Sequence, residues 1–109
     1  MNPRMCPSRA TVWRRIPDGR AVGWERAEIP CRWDEVRETL AGASGDTASW
    51  HAEIIVPAAS DTEPFAKKDR IALGSRSEPE PTADALSITE VHPVHLGGAR
   101  PHHWEAEAR

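Results

Sequence analysis

The chain has 109 residues, with 14 basic and 17 acidic side chains, a formal net charge of -3, two cysteines, five tryptophans and no tyrosine. A chain of this length folds as one domain and buries roughly two thirds of the surface its unfolded form exposes, so a core needs neither metal nor disulfide. The negative balance disfavours general duplex binding, no apolar run approaches the ~20 residues that span a bilayer, and two cysteines without CxxC spacing form neither a disulfide framework nor a zinc knuckle.

Charge is nonetheless uneven. Residues 1–34 hold seven arginines against four acids, and residues 35–109 hold seven basic residues against thirteen acids, which leaves a local basic patch open. Cys6 and Cys31 read as free thiols of a reducing compartment. Residues 1–10 contain Pro3, Pro7 and two arginines but no apolar h-region, which predicts a flexible N-terminal arm on a protein made in the cytoplasm.

From residue 11 onward the pattern is that of short strands. The β-branched and aromatic run TVWRRI (11–16) predicts a first strand, and PDG (17–19) a tight turn. A second strand covers 21–33, with Trp24, Arg26 and Glu28 on one face and Glu25, Ala27 and Ile29 on the other; Pro30, which lacks a ladder donor, predicts an edge or a bulge there. Residues 34–40 extend the strand into a loop, and GASGD (42–46) is a loop tip without the Gly-Lys-Ser/Thr of a phosphate-binding loop. Residues 50–56 show the clearest period of two: Trp50, Ala52, Ile54 and Val56 alternate with His51, Glu53 and Ile55 until Pro57 ends the run.

The stretch PFAKKDRIALG (64–74) places a charged turn before a short strand. Asp69 is suited to accept hydrogen bonds from nearby backbone N–H groups and fix the turn, Ile71 and Leu73 share one face, and Gly74 turns the chain away. Residues 75–84, rich in Pro, Glu and Ser, read as an exposed acidic loop. Alternation returns in LSITEV (86–91), with Leu86, Ile88 and Glu90 on one face, Ser87, Thr89 and Val91 on the other, and Pro93 as a stop. The last strand has Trp104, Ala106 and Ala108 facing one way, Glu105 and Glu107 the other. These six runs predict a mainly β fold, a small antiparallel barrel or sandwich of about six strands with long polar loops, in a single domain over 11–109 after the 1–10 arm. Its expected core is Trp13, Trp24, Trp50, Ile54, Val56, Ile71, Leu73, Ile88 and Trp104, the tryptophans each burying roughly 150–250 Å².

Candidate chemistry is sparse. His92, His95, His102 and His103 cluster in the sequence, yet His92 and His95 flank a proline at a strand end with no acidic ligand fixed beside them, and they read as loop histidines rather than a zinc or nickel site. No serine sits in a nucleophile elbow, and Glu105 and Glu107 share an outer strand face where carboxylates are solvated. The residues therefore predict no catalytic residue, no metal and no cofactor.

One ordered series points further. TVW (11–13), WER (24–26), Trp33, IVP (55–57), DRIALG (69–74), ITEV (88–91) and HW (103–104) succeed one another, and in that order they resemble the small minor capsid or neck proteins of tailed bacteriophages. Lys68 stands where that pattern often has Gly before the Asp, and Trp13 where Tyr is usual. The resemblance implies a structural, non-enzymatic subunit made in the host cytoplasm and placed in the virion neck. There it would form a homo-oligomeric head-closure or head-to-tail ring, with portal or adaptor proteins above, tail proteins below, and DNA passing the lumen without sequence-specific binding. Lys67, Lys68, Asp69, Glu78 and Glu80 are the expected interface residues. The competing expectation is a stand-alone OB-like barrel that binds nucleic acid or peptide, with Trp13 beside Arg14 and Arg15, or Trp24 beside Arg26, as stacking platforms.

Overall fold

Six strands follow one another in the chain, β1 (Ser8–Asp18), β2 (Ala21–Gly42), β3 (Gly45–Pro57), β4 (Arg70–Leu73), β5 (Leu86–Val94) and β6 (His103–Ala108). They close an antiparallel barrel in the order β1-β2-β3-β6-β5-β4. The computed structural model describes residues 6–18, 21–42, 45–59 and 62–109, by backbone alone at 18, 21–22, 38–42 and 45–48.

The 22-residue β2 makes the closure possible. Its residues 21–31 pair with β1, from Asp18↔Ala21 to Ser8↔Cys31, and its residues 32–42 pair with β3, from Arg32↔Ile55 to Gly42↔Gly45. The partner changes one residue after Pro30, where the missing N–H does least damage. The expected interruption at Pro30 is thus a change of neighbour within a continuous strand. The predicted loop over 34–40 is ladder as well, as are Asp46 and Gly45; only residues 43 and 44 of that loop tip lie outside the described residues. Of the turn expected at 17–19, Pro17 and Asp18 are ladder residues paired with β2, and residue 19 lies outside the described residues.

Inside the barrel the side chains are small on β1, β3 and β6 (Ala10, Ala52, Ala106, Ala108) and large where space remains (Ile54, Ile71, Ile88, Trp104), with Phe65 entering from the loop before β4. Six strands enclose a narrow lumen that side chains fill completely, and alanines opposite bulky residues meet that limit. The pairs Ala52↔Ala108, Ile54↔Ala106 and Val56↔Trp104 show the layering. Cys31 is fully buried here, and burial, then the charge of the neighbouring Cys6, pushes its thiol up to about 11, which leaves it protonated and unreactive near neutrality.

A second, smaller cluster lies on the outside of the wall. Trp13 alternates with the inward Val12 and packs with Ala72, Ala85 and Trp24 beneath residues 75–85. This segment is a fastened strap rather than a free loop: Trp13 Nε1 donates to Glu78 O (2.8 Å), Thr11 Oγ1 donates to Gly74 O (2.8 Å) and accepts from Arg76 N (2.9 Å), and Arg26 donates to Arg76 O (3.0 Å). Arg76 in turn grips both oxygens of Asp84 (3.2 and 2.8 Å), which holds that carboxyl below its usual range.

Several expectations need correction. The N-terminal segment is not all arm, because β1 starts at Ser8, Ala10 is fully buried and Cys6 is nearly so; residues 1–5 lie outside the described residues. Trp50 is 47% exposed. It pairs with Arg37, two rungs beyond Ala52↔Ala108, where β6 ends and no wall remains to cover it. Leu73 is 43% exposed because it shares the face of Ile71 but sits at the rim of β4, while Ala72 on the opposite face is covered by the strap. Trp13 is fully buried as expected, but with the partly buried Trp24 it belongs to the outer cluster and not to the barrel interior. A bulge at Thr89 reverses the parity of β5, so Val91 turns inward instead of Glu90, and the strand passes through Pro93, which pairs with Trp104.

Trp104 Nε1 is buried without a hydrogen-bond partner, so its indole contributes volume at the expense of an unsatisfied donor. Trp104→Ala is expected to cost about 3–5 kcal/mol, whereas Trp104→Phe, which removes the orphan N–H with most of the ring kept, should change stability by about 1 kcal/mol or less. Urea titrations of the two variants check the contrast.

Candidate functional site

Residues 66–69 form a β-turn closed by Asp69 N–H donating to Ala66 O (3.1 Å), with Lys68 at φ 76°. A turn with positive φ at its third residue is type II, the geometry that favours glycine there. A side chain on a left-handed backbone is strained, which gives a physical reason for Gly at the corresponding place in the neck-protein pattern. The turn is stitched to β5 by Lys68 N–H to Ile88 O and Ile88 N–H to Asp69 O, both 2.9 Å.

The Asp69 carboxylate, 5% exposed, joins this turn to β1. Oδ2 accepts from Ala66 N–H (2.7 Å) and Oδ1 from Arg15 N–H (2.8 Å), 54 residues away in sequence; the Arg14 guanidinium lies 3.9 Å from Oδ2. A buried carboxylate that accepts two backbone N–H groups beside a cation is held in place. Expected as an interface residue, Asp69 instead spends both oxygens within the fold.

In front of this clamp opens a concavity of about 560 Å³ lined by Arg15, Trp24, Lys67, Lys68, Arg70, Ser87, Ile88 and Thr89. It occupies the angle where β1 and β2, still paired at Arg15↔Trp24, run on past the last β1–β4 rung, Trp13↔Arg70. Among the described residues four cations and two hydroxyls line it, and no carboxylate does. Among the described residues no acid pairs with Arg15, Lys67, Lys68 or Arg70; Arg70 only donates to Ala85 O (2.6 Å). Such a wall attracts anions.

Beyond β5 the wall has the opposite character. A shallow groove of about 280 Å³ crosses the outer faces of β3, β6 and β5, edged by Asp34, Glu53, Glu90, Glu105 and Glu107. Each acid has one cationic or titratable neighbour: Arg32 for Asp34 (3.2 Å), His51 for Glu53 (3.2 Å), His92 for Glu90 (3.4 Å), His103 for Glu105 (3.2 Å) and Arg109 for Glu107 (2.9 Å). His102 contacts His103 through their Nδ1 atoms (2.9 Å). Among the described residues no group of three His, Cys, Asp or Glu is placed to hold a metal ion.

The residues expected to form an interface are thus divided. Lys67 and Lys68 line the concavity, Asp69 is buried behind it, and Glu78 and Glu80 are exposed on the strap over the outer face of β1. Sequence reasoning singled out Arg15 and Trp24 only as parts of stacking platforms in the competing nucleic-acid expectation, and it missed Arg70, Ser87 and Thr89. Only the alternation of Arg70 with Ile71 hinted at an outward direction, and the register that gathers these residues is not local.

No family model matches the chain, and no curated protein or solved structure matches it either.

Two substitutions read the site's framework. Asp69→Ala strands two backbone N–H groups and should cost about 3 kcal/mol or more, with Asp69→Asn, which keeps one acceptor, costing less; accelerated amide exchange at Arg15 and Ala66 would place the loss at the clamp. Lys68→Gly relieves the positive φ and should raise stability by about 1 kcal/mol, measured by the denaturation midpoint.

Proposed function

We propose that this chain is a structural subunit of a tailed-phage neck, a head-closure or head-to-tail connector that joins portal to tail in a ring and continues the DNA channel. The observation that carries this reading is that two hairpins outrun the barrel. The β2–β3 ladder continues from Val36↔His51 to Gly42↔Gly45 after β6 has ended, and the β1–β2 ladder continues from Arg14↔Glu25 to Asp18↔Ala21 after β4 has ended. The longer ribbon reaches about 20 Å at ~3.4 Å per residue, in a molecule 47 × 41 × 23 Å across. A two-stranded ribbon is marginal by itself in water. Ribbons of this length on a small barrel suit an assembly subunit, where neighbours supply the missing third surface, and Trp50, exposed at the base of one of them, offers apolar area for such a contact.

The ordered series that resembles neck proteins supports the same reading, and its DRIALG piece is the clamped turn and β4. In this reading the chain has no catalytic step and no cofactor, it resides at the head–tail interface of the virion after synthesis in the host cytoplasm, and Glu78 and Glu80 on the strap keep passing DNA from adhering. A second reading, an OB-like nucleic-acid module, draws on the basic concavity with Trp24 in its wall.

The test is assembly. Phage lacking the chain should accumulate filled or leaking heads without tails, and the purified protein should cosediment with the portal–adaptor complex encoded beside it. Wild-type virions made without the chain would overturn the proposal.

A further inference from the structure

We infer that successive copies of this chain meet head to tail, the basic concavity of one copy receiving the carboxylate groove of the next. Strand order gives the two surfaces different directions. Around the barrel β4, which carries Arg70 of the concavity, is separated from β6, the middle of the acidic groove, by β5 alone on one side and by three strands on the other; the two surfaces adjoin along β5, whose Ser87, Ile88 and Thr89 line the concavity and whose Glu90 and His92 line the groove.

The charges match in sign and nearly in number. Among the described residues, Arg15, Lys67, Lys68 and Arg70 carry four positive charges with no acid in the lining, and the five carboxylates of the groove face only Arg32 and Arg109 as permanent cations, a net excess of three negative charges with histidine counted neutral. Either surface set against its own copy would juxtapose like charges, which disfavours a two-fold dimer through either one. Set against each other they form a heterologous contact, which repeats from copy to copy and closes into a ring when the rotation permits.

A nucleic-acid strand is the weaker occupant. Trp24 is the only aromatic in the concavity, and it is itself packed against the cluster of Trp13, Ala72 and Ala85, so no row of stacking faces accompanies the cations. The contact is derived from charge and strand order; it rests on the neck reading only for the closure of the ring. Being made of exposed charges, it is weak and salt-sensitive, consistent with a subunit that stays mainly monomeric at micromolar concentration until a template gathers it.

The experiment is sedimentation of the full chain at high concentration, in low and high salt, with two charge-reversed variants, Arg15→Glu/Lys67→Glu and Glu53→Lys/Glu105→Lys, each checked for folding by circular dichroism. Wild type should show a concentration-dependent larger species that high salt removes, each variant should self-associate about tenfold more weakly, and an equimolar mixture of the two should recover association. A wild type monomeric even in low salt, or variants that associate as wild type does, would overturn the contact. So would a single-stranded oligonucleotide that binds wild type and not the Arg15→Glu/Lys67→Glu variant while self-association is equal in both. Cosedimentation with the portal–adaptor complex separates the two claims: its retention beside unchanged self-association sinks the contact alone, and its absence beside charge-dependent self-association sinks the neck reading alone.

Discussion

The carboxylate of Asp69 is the point on which the rest of this barrel turns. Its two oxygens accept from Ala66 N–H and Arg15 N–H, so one buried side chain closes the turn that starts β4 and ties that turn to β1. The β4 strand is only four residues long, and its ladder to β5 has two rungs, Arg70↔Ser87 and Ile71↔Leu86. A seam that short closes a barrel weakly by backbone pairing alone. The Asp69 bonds, with the Lys68–Ile88 and Ile88–Asp69 backbone bonds, extend it beyond the strand and leave no open edge between β1 and β5. The same clamp sets Arg15 on one side of the concavity and Lys67 and Lys68 on the other, so closure of the fold and shape of the site share one cause.

A narrow barrel also explains where the tryptophans go. Six strands leave little interior volume, and alanines occupy many of the inward positions. Trp104 fits because Ala106 and Ala108 lie beside it along β6; Trp13 is instead buried on the outside, its indole N–H satisfied by the backbone of Glu78. The strap is thus a second half-core laid over the sheet, held by polar bonds from Thr11, Arg26 and Arg76 together with the small buried side chain of Ala85. Proline-rich sequence suits this role, since a strap that donates few backbone hydrogen bonds needs few acceptors beneath it.

The surface is organised by the same topology. Because β2 changes partners after Pro30, its two halves send hairpins away from the barrel in two places, and the wall between β4 and β1 becomes concave where one of them departs. Cations from β1, β4 and the 66–69 turn converge there, while alternation on β3, β5 and β6 sends carboxylates to a separate stretch of the wall. A molecule with unlike charges on two parts of its wall and ribbons reaching beyond its core is built to contact neighbours on several sides.

Alternation along residues 103–108 and 52–56 was enough by itself to place Trp104, Ala106, Ala108, Ile54 and Val56 on inward faces, because a strand has a fixed period of two and needs no neighbour to reveal it. Six short runs between turn signals likewise pointed to a small antiparallel barrel or sandwich, of which the tertiary structure is the closed barrel, and the Lys-Lys-Asp turn announced that Asp69 would bond backbone N–H groups. Which N–H groups, and that one of them lies 54 residues away at Arg15, only the tertiary structure decided. The same holds for Trp50 and Leu73, whose faces were read correctly but whose exposure depends on where β6 and β4 stop, and for Val91, turned inward by a bulge. Burial is a property of what lies across the ladder, and register across a closed sheet is a long-range quantity that local pattern does not contain.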